Sequence, residues 1–359
     1  MSTEDQPCYK TFSYRVKDAT SGKGLFALGN HVNKVWNYCN EVSGKSAQRG
    51  NRWITKKQLR ELTKGASREL GLPSQVIQEV VDEFLDKRAQ AGKPRLRWRA
   101  SRGPRRALGW IPFTNQDIEI EGSVVYLRGR TFRLWKHREI EGKIKSGNFS
   151  QDARGRWYCN IVCEIERSST NRTAVVAFDL GHKTLVKGSD GSELEQARFY
   201  RDMEKKLADA ERRGKTRLVK TINAKIKNRR KDTFHKFTRQ VVDRSGAVFV
   251  GNISSAWQVV AGNGKATHDA SWSMLRGFLR YKCDHAGVAF AEVNEAYTTQ
   301  TCSCCKALTG PKGEEDLNVR RWVCRGCGAE HDRDQNAAIN IARLGCEALG
   351  LQWPGSPSH

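Results

Sequence analysis

The chain has 359 residues, a formal net charge of +24 at pH 7 and a pI near 9.8. That length allows two or three domains with cores of their own, and the charge surplus calls for a polyanionic partner, nucleic acid first and a membrane surface second. No apolar run approaches the ~20 residues of a spanning helix and Met1 to Lys10 has no signal-peptide core, while the eleven cysteines, an odd number, fit a reducing compartment; a soluble intracellular protein is expected.

Tyr9 to Val16 alternates aromatic and polar residues, the period of a half-buried strand. Leu25, Leu28, Val32, Val35 and Cys39 fall at helical spacing with Trp36 beside them, which predicts a helix over 23–42. A second helix is expected over 55–64. A third opens at Pro73, with proline in its first turn and Gly92 past its end. Composition then shifts: 93–106 reads KPRLRWRASRGPRR, with Arg95, Arg97, Arg99, Arg102, Arg105 and Arg106 around Trp98. Guanidinium forks suit phosphates and the interleaved indole can stack on a base; a solvated basic loop is the plain alternative. From Trp110 to Ile165 the short runs IPF, DIEIEGSVVYL, TFRLWKHREI and WYCNIVCEIE predict a small β-barrel or sheet that can take in the first strand.

A strand buried on both faces follows over 175–178 and ends in Asp179, with a hairpin partner at Leu185 and Val186 ahead of the turn Ser189-Asp190-Gly191. Residues 201–231 carry thirteen Lys and Arg against four Asp and Glu, which predicts one long helical stretch facing nucleic acid. Its candidate contacts are Lys205, Arg212, Arg213, Lys220, Lys227, Arg229 and Arg230. AVFV (247–250) reads as another buried strand, followed by Gly251 and Asn252. Beyond it we expect a mobile glycine-rich loop around 261–265, a helix over 273–282, a strand over 287–293, a last helix over 333–344 and a disordered tail over 346–359.

The chemistry concentrates in 290–344. Cys302 and Cys305 form one C-x-x-C and Cys324 and Cys327 another, the spacing of a closed, tetrahedral, structural zinc site. Cys304 lies inside the first pair, and the two-residue gap selects Cys302 and Cys305. Small buried hydrophobes are the plain alternative for all of them. Three acidic positions stand out beside the knuckles. Asp179 ends a buried strand, where a carboxylate is costly unless paired. A glutamate of the 292–295 strand is the second. Asp334 is the third; it shares a helical face with Ala338 and Ile341, so it is aimed inward, and the helix N-terminus favours its ionised form. Asp332 reads as the N-cap of that helix. Converging carboxylates suit magnesium or manganese, and two such ions about 3.5–4 Å apart stabilise the attacking and leaving oxygens of phosphodiester hydrolysis. Cations that bind a backbone and anions that hold the metals cutting it have the charge logic of a nuclease.

The motifs VAFDLGHKTL around Asp179, EVNEAYTTQTCSCC, WVCRGCG and HDRDQNAAINIA around Asp334 resemble the TnpB proteins of bacterial insertion sequences, kin of the small type V CRISPR effectors. SWSMLRGFLRYK and, more weakly, YKTFSYRV extend the resemblance. It implies an α/β plus β-barrel chain: an RNase H-like RuvC nuclease domain with an inserted zinc ribbon, preceded by a wedge-like β-barrel that carries an inserted helical recognition domain. On this sequence the wedge falls at 1–20 and 93–168, the recognition domain at 21–92, the nuclease domain at 169–300 and 329–345, the ribbon at 301–328 and the tail at 346–359. The implied activity is RNA-guided DNA cleavage beside a short adjacent motif, with a structured guide RNA from the protein's own locus and double-stranded target DNA as partners. Structural zinc and catalytic magnesium or manganese are the implied cofactors. A monomer in the bacterial cytoplasm is expected, with a dimer as the alternative and no membrane involved.

One departure matters. The family's second RuvC motif carries its glutamate at the end of the strand that is AVFV here, and this chain has Gly251-Asn252 in that place. Some relatives with this loss have a glutamate just before the Tyr-Thr that leads into the zinc knuckle, which corresponds to Glu295. The implied catalytic and metal-binding set is therefore Asp179, Glu295 and Asp334, with Glu292 in reserve. Strand alternation puts Glu292 and Glu295 on opposite faces, so that one of them serves. The rival reading is a guided DNA-binding repressor that does not cut, against which stands the retention of both aspartates. A transposase with three acids would not predict a ribbon between the second and third.

Overall fold

The computed structural model describes residues 7–50, 53–181, 184–195, 200–252, 265–312, 316 and 318–353. The glycine-rich stretch 261–264 and the last six residues of the expected tail lie outside them. The chain divides into two compact units, Met1–Glu166 and Arg167–His359.

In the first unit, β1 (Cys8–Val16) is followed by four helices, α1 (Asp18–Gln48), α2 (Lys56–Leu62), α3 (Ala66–Leu70) and α4 (Ser74–Ala91). Six strands complete it: β2 (Trp110–Thr114), β3 (Ile118–Glu121), β4 (Val124–Leu127), β5 (Arg130–Trp135), β6 (Lys143–Gln151) and β7 (Trp157–Ile165). They form one antiparallel sheet in the order β2-β6-β7-β1-β5-β4-β3. Phe149 of β6 touches Phe113 of β2 and also Phe132 of β5, with ring centroids 5.5 and 5.0 Å apart. Since β7 and β1 lie between β6 and β5, the sheet has rolled into a nearly closed barrel around these rings. The helices add to the same core, with Trp36 of α1 edge-on to Phe84 of α4 at 5.4 Å.

Several boundaries move from the expected ones. Helix α1 extends beyond 23–42 in both directions. Thr55 and Gln58 close a capping box at the start of α2. Pro73 is the N-cap of α4, one position ahead of its first turn, and Gly92 ends the helix in the left-handed region. Strand β5 stops at Trp135, halfway along the expected TFRLWKHREI run, and β6 was not expected at all: of its nine residues only Ile144 and Phe149 are large and apolar.

The second unit is built on a five-stranded sheet of β8 (Val175–Asp179), β9 (Thr184–Gly188), β10 (Glu193–Glu195), β11 (Ala247–Gly251) and β12 (Ala289–Val293), in the order β10-β9-β8-β11-β12. Strands β8, β11 and β12 run parallel, β9 is antiparallel to β8, and β10 is antiparallel to β9. Val176, Phe178, Val248 and Val250 face α6 (Thr216–Arg244) and α7 (Lys265–Ala286). Ala177, Ala247 and Phe249 face α8 (Arg333–Leu349). Both faces are covered, which is why these strands read as continuous apolar runs. The expected single helical stretch over 201–231 is two helices, α5 (Arg201–Arg212) and α6, because Gly214 takes φ of +61° and turns the chain. Leu207 and Ala210 then pack on Ile222 and Ile226. The last helix runs five residues past the expected end, through the start of the expected tail. Among the described residues no helix is long and apolar enough to cross a membrane.

Candidate active site and metal centre

Register places the acids. Phe178 pairs with Val250 and Gly251 with Val293, so the carboxyl ends of β8, β11 and β12 stand side by side. In open sheets of this kind, ligands bind beyond the carboxyl ends of parallel strands. Asp179 is the last residue of β8, and by alternation it shares the side of Ala177, toward α8. Asp334 lies in the first turn of α8. Burial first, then the charges of Glu295 and Asp334, push the carboxyl of Asp179 up to about 8, against the opposing pull of Arg333 and Arg320. Burial likewise raises Glu295 to about 7, with Arg276 opposing. Oε2 of Glu295 is buried and has no hydrogen-bond partner among the described residues.

Glu292 and Glu295 are not alternate residues of one strand. Strand β12 ends at Val293, and Glu295 sits in the turn beyond it, where Tyr297 takes φ of +65° and Thr298 returns its N–H and hydroxyl to the Glu295 carbonyl at 3.2 and 2.8 Å. Strand alternation therefore does not relate their side chains. What separates the two glutamates is their partners: Glu292 is ion-paired with Arg276 at 3.8 Å and with Arg280.

Asp334 is held by Arg320, whose Nη1 donates to both carboxylate oxygens at 3.0 and 2.7 Å. Asp179, Glu295 and Asp334 are electrostatic neighbours without a closed ligand shell. Among the described residues, the ligand atoms gathered within 4.8 Å of one another belong to Cys and His alone. Asp332 caps α8, accepting from the Gln335 N–H at 3.0 Å. Asn336 and Asn340, both buried on the next turns, donate to the carbonyls of Thr298 and Thr301, while Asn336 accepts from the N–H of Ser303. One helix thus fixes Asp334 directly and the Glu295 turn through Thr298. The sequence analysis missed Arg320, Thr298 and this asparagine pair; an i, i+4 repeat of asparagine on an apolar helix face was the available signal.

The four cysteines come together. Cys302 and Cys327 sulfurs are 3.7 Å apart and those of Cys305 and Cys324 3.5 Å, close to the ~3.8 Å between ligands of a tetrahedron with Zn–S of about 2.3 Å. Both knuckles have one backbone pattern. Lys306 N–H donates to the Cys302 carbonyl and Gly328 N–H to the Cys324 carbonyl, and both donors lie in the left-handed region. The Thr309 hydroxyl and then the Gly326 N–H draw the Cys324 thiol down to about 6. Strands β13 (Arg321–Val323) and β14 (Glu330–Asp332) pair behind the second knuckle. A second group, Cys302, Cys304 and His331, overlaps the first, and His331 Nε2 lies 3.0 Å from the Cys302 sulfur. The four-cysteine set fits zinc by donor chemistry and spacing.

Of the basic candidates, Lys205, Arg212, Arg213, Lys220, Lys227 and Arg229 are exposed, although Arg212 and Arg213 both pair with Asp209 at 2.9 and 3.2 Å. Arg230 is partly buried. In the first unit Arg95, Arg97, Trp98, Arg102 and Arg105 are exposed and Arg106 is partly buried, whereas Arg99 turns inward onto Trp36.

A family model described as the Cas12f1-like TNB domain matches residues 272–341. A putative RNA-guided DNA endonuclease from Streptomyces pristinaespiralis is 32% identical over 216 residues, 55% of this chain and 52% of that protein. A TnpB-like protein of Acanthamoeba polyphaga mimivirus is 26% identical over 137 residues, 35% of this chain and 25% of that protein. Among solved structures, Cas12f1 in its complex with sgRNA and target DNA matches with a TM-score of 0.58 at 10% identity, over 94% of this chain and 99% of that one, a likeness of fold alone. The chain spans about half the length of the curated relatives it matches.

Proposed function

Because the chain belongs to the TnpB/Cas12f family, we propose that it is an RNA-guided DNA endonuclease whose chemistry runs at Asp179, Glu295 and Asp334. On this reading the mixed sheet is an RNase H-like RuvC domain and the cysteine knuckles are its inserted structural zinc ribbon. The barrel of the first unit is the wedge, and α1 to α4, inserted between β1 and β2, are the recognition module. A structured guide RNA and a duplex target with a short adjacent motif are the partners.

The observation that carries the reading is the buried Oε2 of Glu295, without a hydrogen-bond partner among the described residues, beside an aspartate whose proton affinity is raised by burial first and by its acidic neighbours second. A carboxylate oxygen without a donor is costly in a fold unless a cation offsets it. The donor set is oxygen only, which suits magnesium or manganese. Such ions, when bound, lower the pKa of a water nucleophile and stabilise the leaving oxygen. The protein's own part is positional. Asn336 and Asn340 hold the Glu295 turn, Arg320 holds Asp334 by both oxygens, and the end of β8 holds Asp179. Burial raises the proton affinity of both Asp179 and Glu295, so cation and proton compete for the same oxygens.

The test is plasmid cleavage in magnesium by protein co-expressed with its native flanking DNA, comparing wild type with Asp179→Ala, Glu295→Ala and Asp334→Ala. Cutting by wild type alone, with target binding kept in the variants, supports the proposal. Wild-type protein that holds the guided target without cutting it replaces the proposal with a guided, non-cutting repressor.

A further inference from the structure

The basic segment after α4 is bolted down. Helix α1 presents Asn33, Asn37 and Asn40 on one face, and their amides read the segment as a neighbouring strand would. Asn40 donates to the Leu96 carbonyl at 2.9 Å and accepts from the Leu96 N–H at 2.8 Å. Asn37 does the same with Arg99, both bonds at 2.9 Å, and Asn33 donates to the Ser101 hydroxyl at 3.3 Å. The Arg99 guanidinium is pressed on the Trp36 ring, 3.4 Å from its centroid. With Leu96 and Arg99 anchored inward, Arg97 and Trp98 are left outside, and Trp98 is 56% exposed. A solvated loop would need none of these bonds.

Two concave sites flank this strap. One, of about 500 Å³, is lined by Trp36, Lys87, Arg97, Trp98, Arg105 and Arg106 among others. The second, of about 620 Å³, is lined by Arg15, Lys23, Phe26, Arg154 and Arg156 together with Gln151 and Trp157. Both fall within the ~300–1,000 Å³ of small-ligand sites, and among the described residues no acidic one lines either. They adjoin at Arg106, which lines the first and reaches Gln151 at 2.9 Å and the Phe26 ring at 6.0 Å in the second. Sequence reasoning missed the second cavity because its cations come from β1, α1 and the β6–β7 turn, none of which is a charge run.

We propose that the strap and its two cavities form a seat for an unpaired nucleic-acid strand, with a base stacked on Trp98 in the first cavity and the phosphates that follow held through Arg106 into the second. Guanidiniums supply the phosphate forks, and an indole carried on an anchored backbone supplies a stacking plane at reduced ordering cost. A paired base inside a duplex keeps its faces in its own stack, so a duplex can offer that plane only an end pair. The inference rests on nucleic-acid binding alone and not on cleavage.

The test uses the full chain without added divalent cation and fluorescein-labelled oligo-uridine, oligo-thymidine and duplex probes of about 15 nucleotides, within the ~4–16 nucleotide sites of single-strand binders. Trp98→Ala is expected to weaken single-strand binding roughly five- to hundredfold with an unchanged salt slope. Arg97→Gln and Arg105→Gln should each lower the slope of log K against log salt by about 0.7. Trp135→Ala, a tryptophan 58% exposed on β5 and outside both cavities, should change neither, and Trp98→Phe should restore most of the loss. A loss confined to the ribose or the deoxyribose strand supports the seat and names its occupant. Unchanged single-strand binding by Trp98→Ala, or an equal loss on the duplex, overturns it. Cleavage-dead protein would leave these results standing, and active protein with an inert Trp98 would sink the seat alone.

Discussion

A methyl group on Gly251 would occupy the space that Oε2 of Glu295 fills, and would also come within 3.1 Å of Cδ1 of Ile341. The two positions are mutually exclusive as sources of a side chain at the end of β11. A carboxylate can reach this place from the turn after β12 only because the strand beside it offers none. Gly251→Ala should therefore displace Glu295 by steric exclusion. The local overpacking costs about 1–3 kcal/mol, and cleavage should fall to nearly the level of Glu295→Ala. Combining the two substitutions should bring little further loss, since the second removes what the first has moved. Additive losses in a double-mutant cycle of cleavage rates would show that Gly251 and Glu295 act separately.

The raised carboxyls link stability to pH. Asp179 and Glu295 bind protons more tightly in the folded chain than in the unfolded one, with values near 8 and 7 against ordinary ones of 3.8 and 4.5. Between about pH 4 and pH 8 the folded state therefore holds more protons, and its stability falls as pH rises. Each unit corresponds to about 1.4 kcal/mol, so the second unit should melt at a lower temperature at about pH 8 than at about pH 5.5 when divalent cations other than zinc are withheld. Asp179→Asn, which cannot ionise, should flatten that slope, and added magnesium should flatten it in the wild type. Parallel melting curves for wild type and variant across the range would show that Asp179 is not the group responsible.

The sheet of the second unit was legible because both of its faces are covered. AVFV and VVAF are apolar throughout, and the change of partner from α6 and α7 on one side to α8 on the other leaves no polar face to blur the signal. The cysteines were legible by spacing alone. Strand β6 was not, since a polar nine-residue stretch takes its conformation from β2 and β7 on either side. Glu295 could not be placed by strand periodicity because the strand ends two residues earlier. Arg320 was invisible for a further reason. An arginine beside another in a polar insert has no local pattern that singles it out, and only the folded ribbon brings it to Asp334, fourteen positions on.

The asparagine pair is the joint between ribbon and helix. Asn336 and Asn340 each donate to the carbonyls of Thr298 and Thr301 from buried positions, and truncating either halves the donors to both carbonyls, with the Ser303 N–H losing its acceptor as well when Asn336 is removed. Asn336→Ala and Asn340→Ala should each cost about 1–3 kcal/mol. They should also raise amide exchange over 295–303 well beyond that over β8. Cleavage should drop in proportion, because the Glu295 turn is released while Asp179 is not. Uniform exchange across the unit would assign the asparagines to global stability instead.

The ribbon carries an asymmetry that can be relieved. Lys306 and Gly328 follow the second cysteine of their knuckles and take the same left-handed conformation, with φ of +66° and +74°, but only the glycine does so without a Cβ penalty of roughly 1–2 kcal/mol. Lys306→Gly should tighten zinc retention several-fold in chelator competition, and Gly328→Ala should loosen it. Cys302→Ser should abolish retention, and with it the register of the Glu295 turn and of Asp334, since structural zinc contributes its binding free energy to folding. A Cys302→Ser protein that has lost its zinc yet cleaves at the wild-type rate would separate the ribbon from the acids it connects.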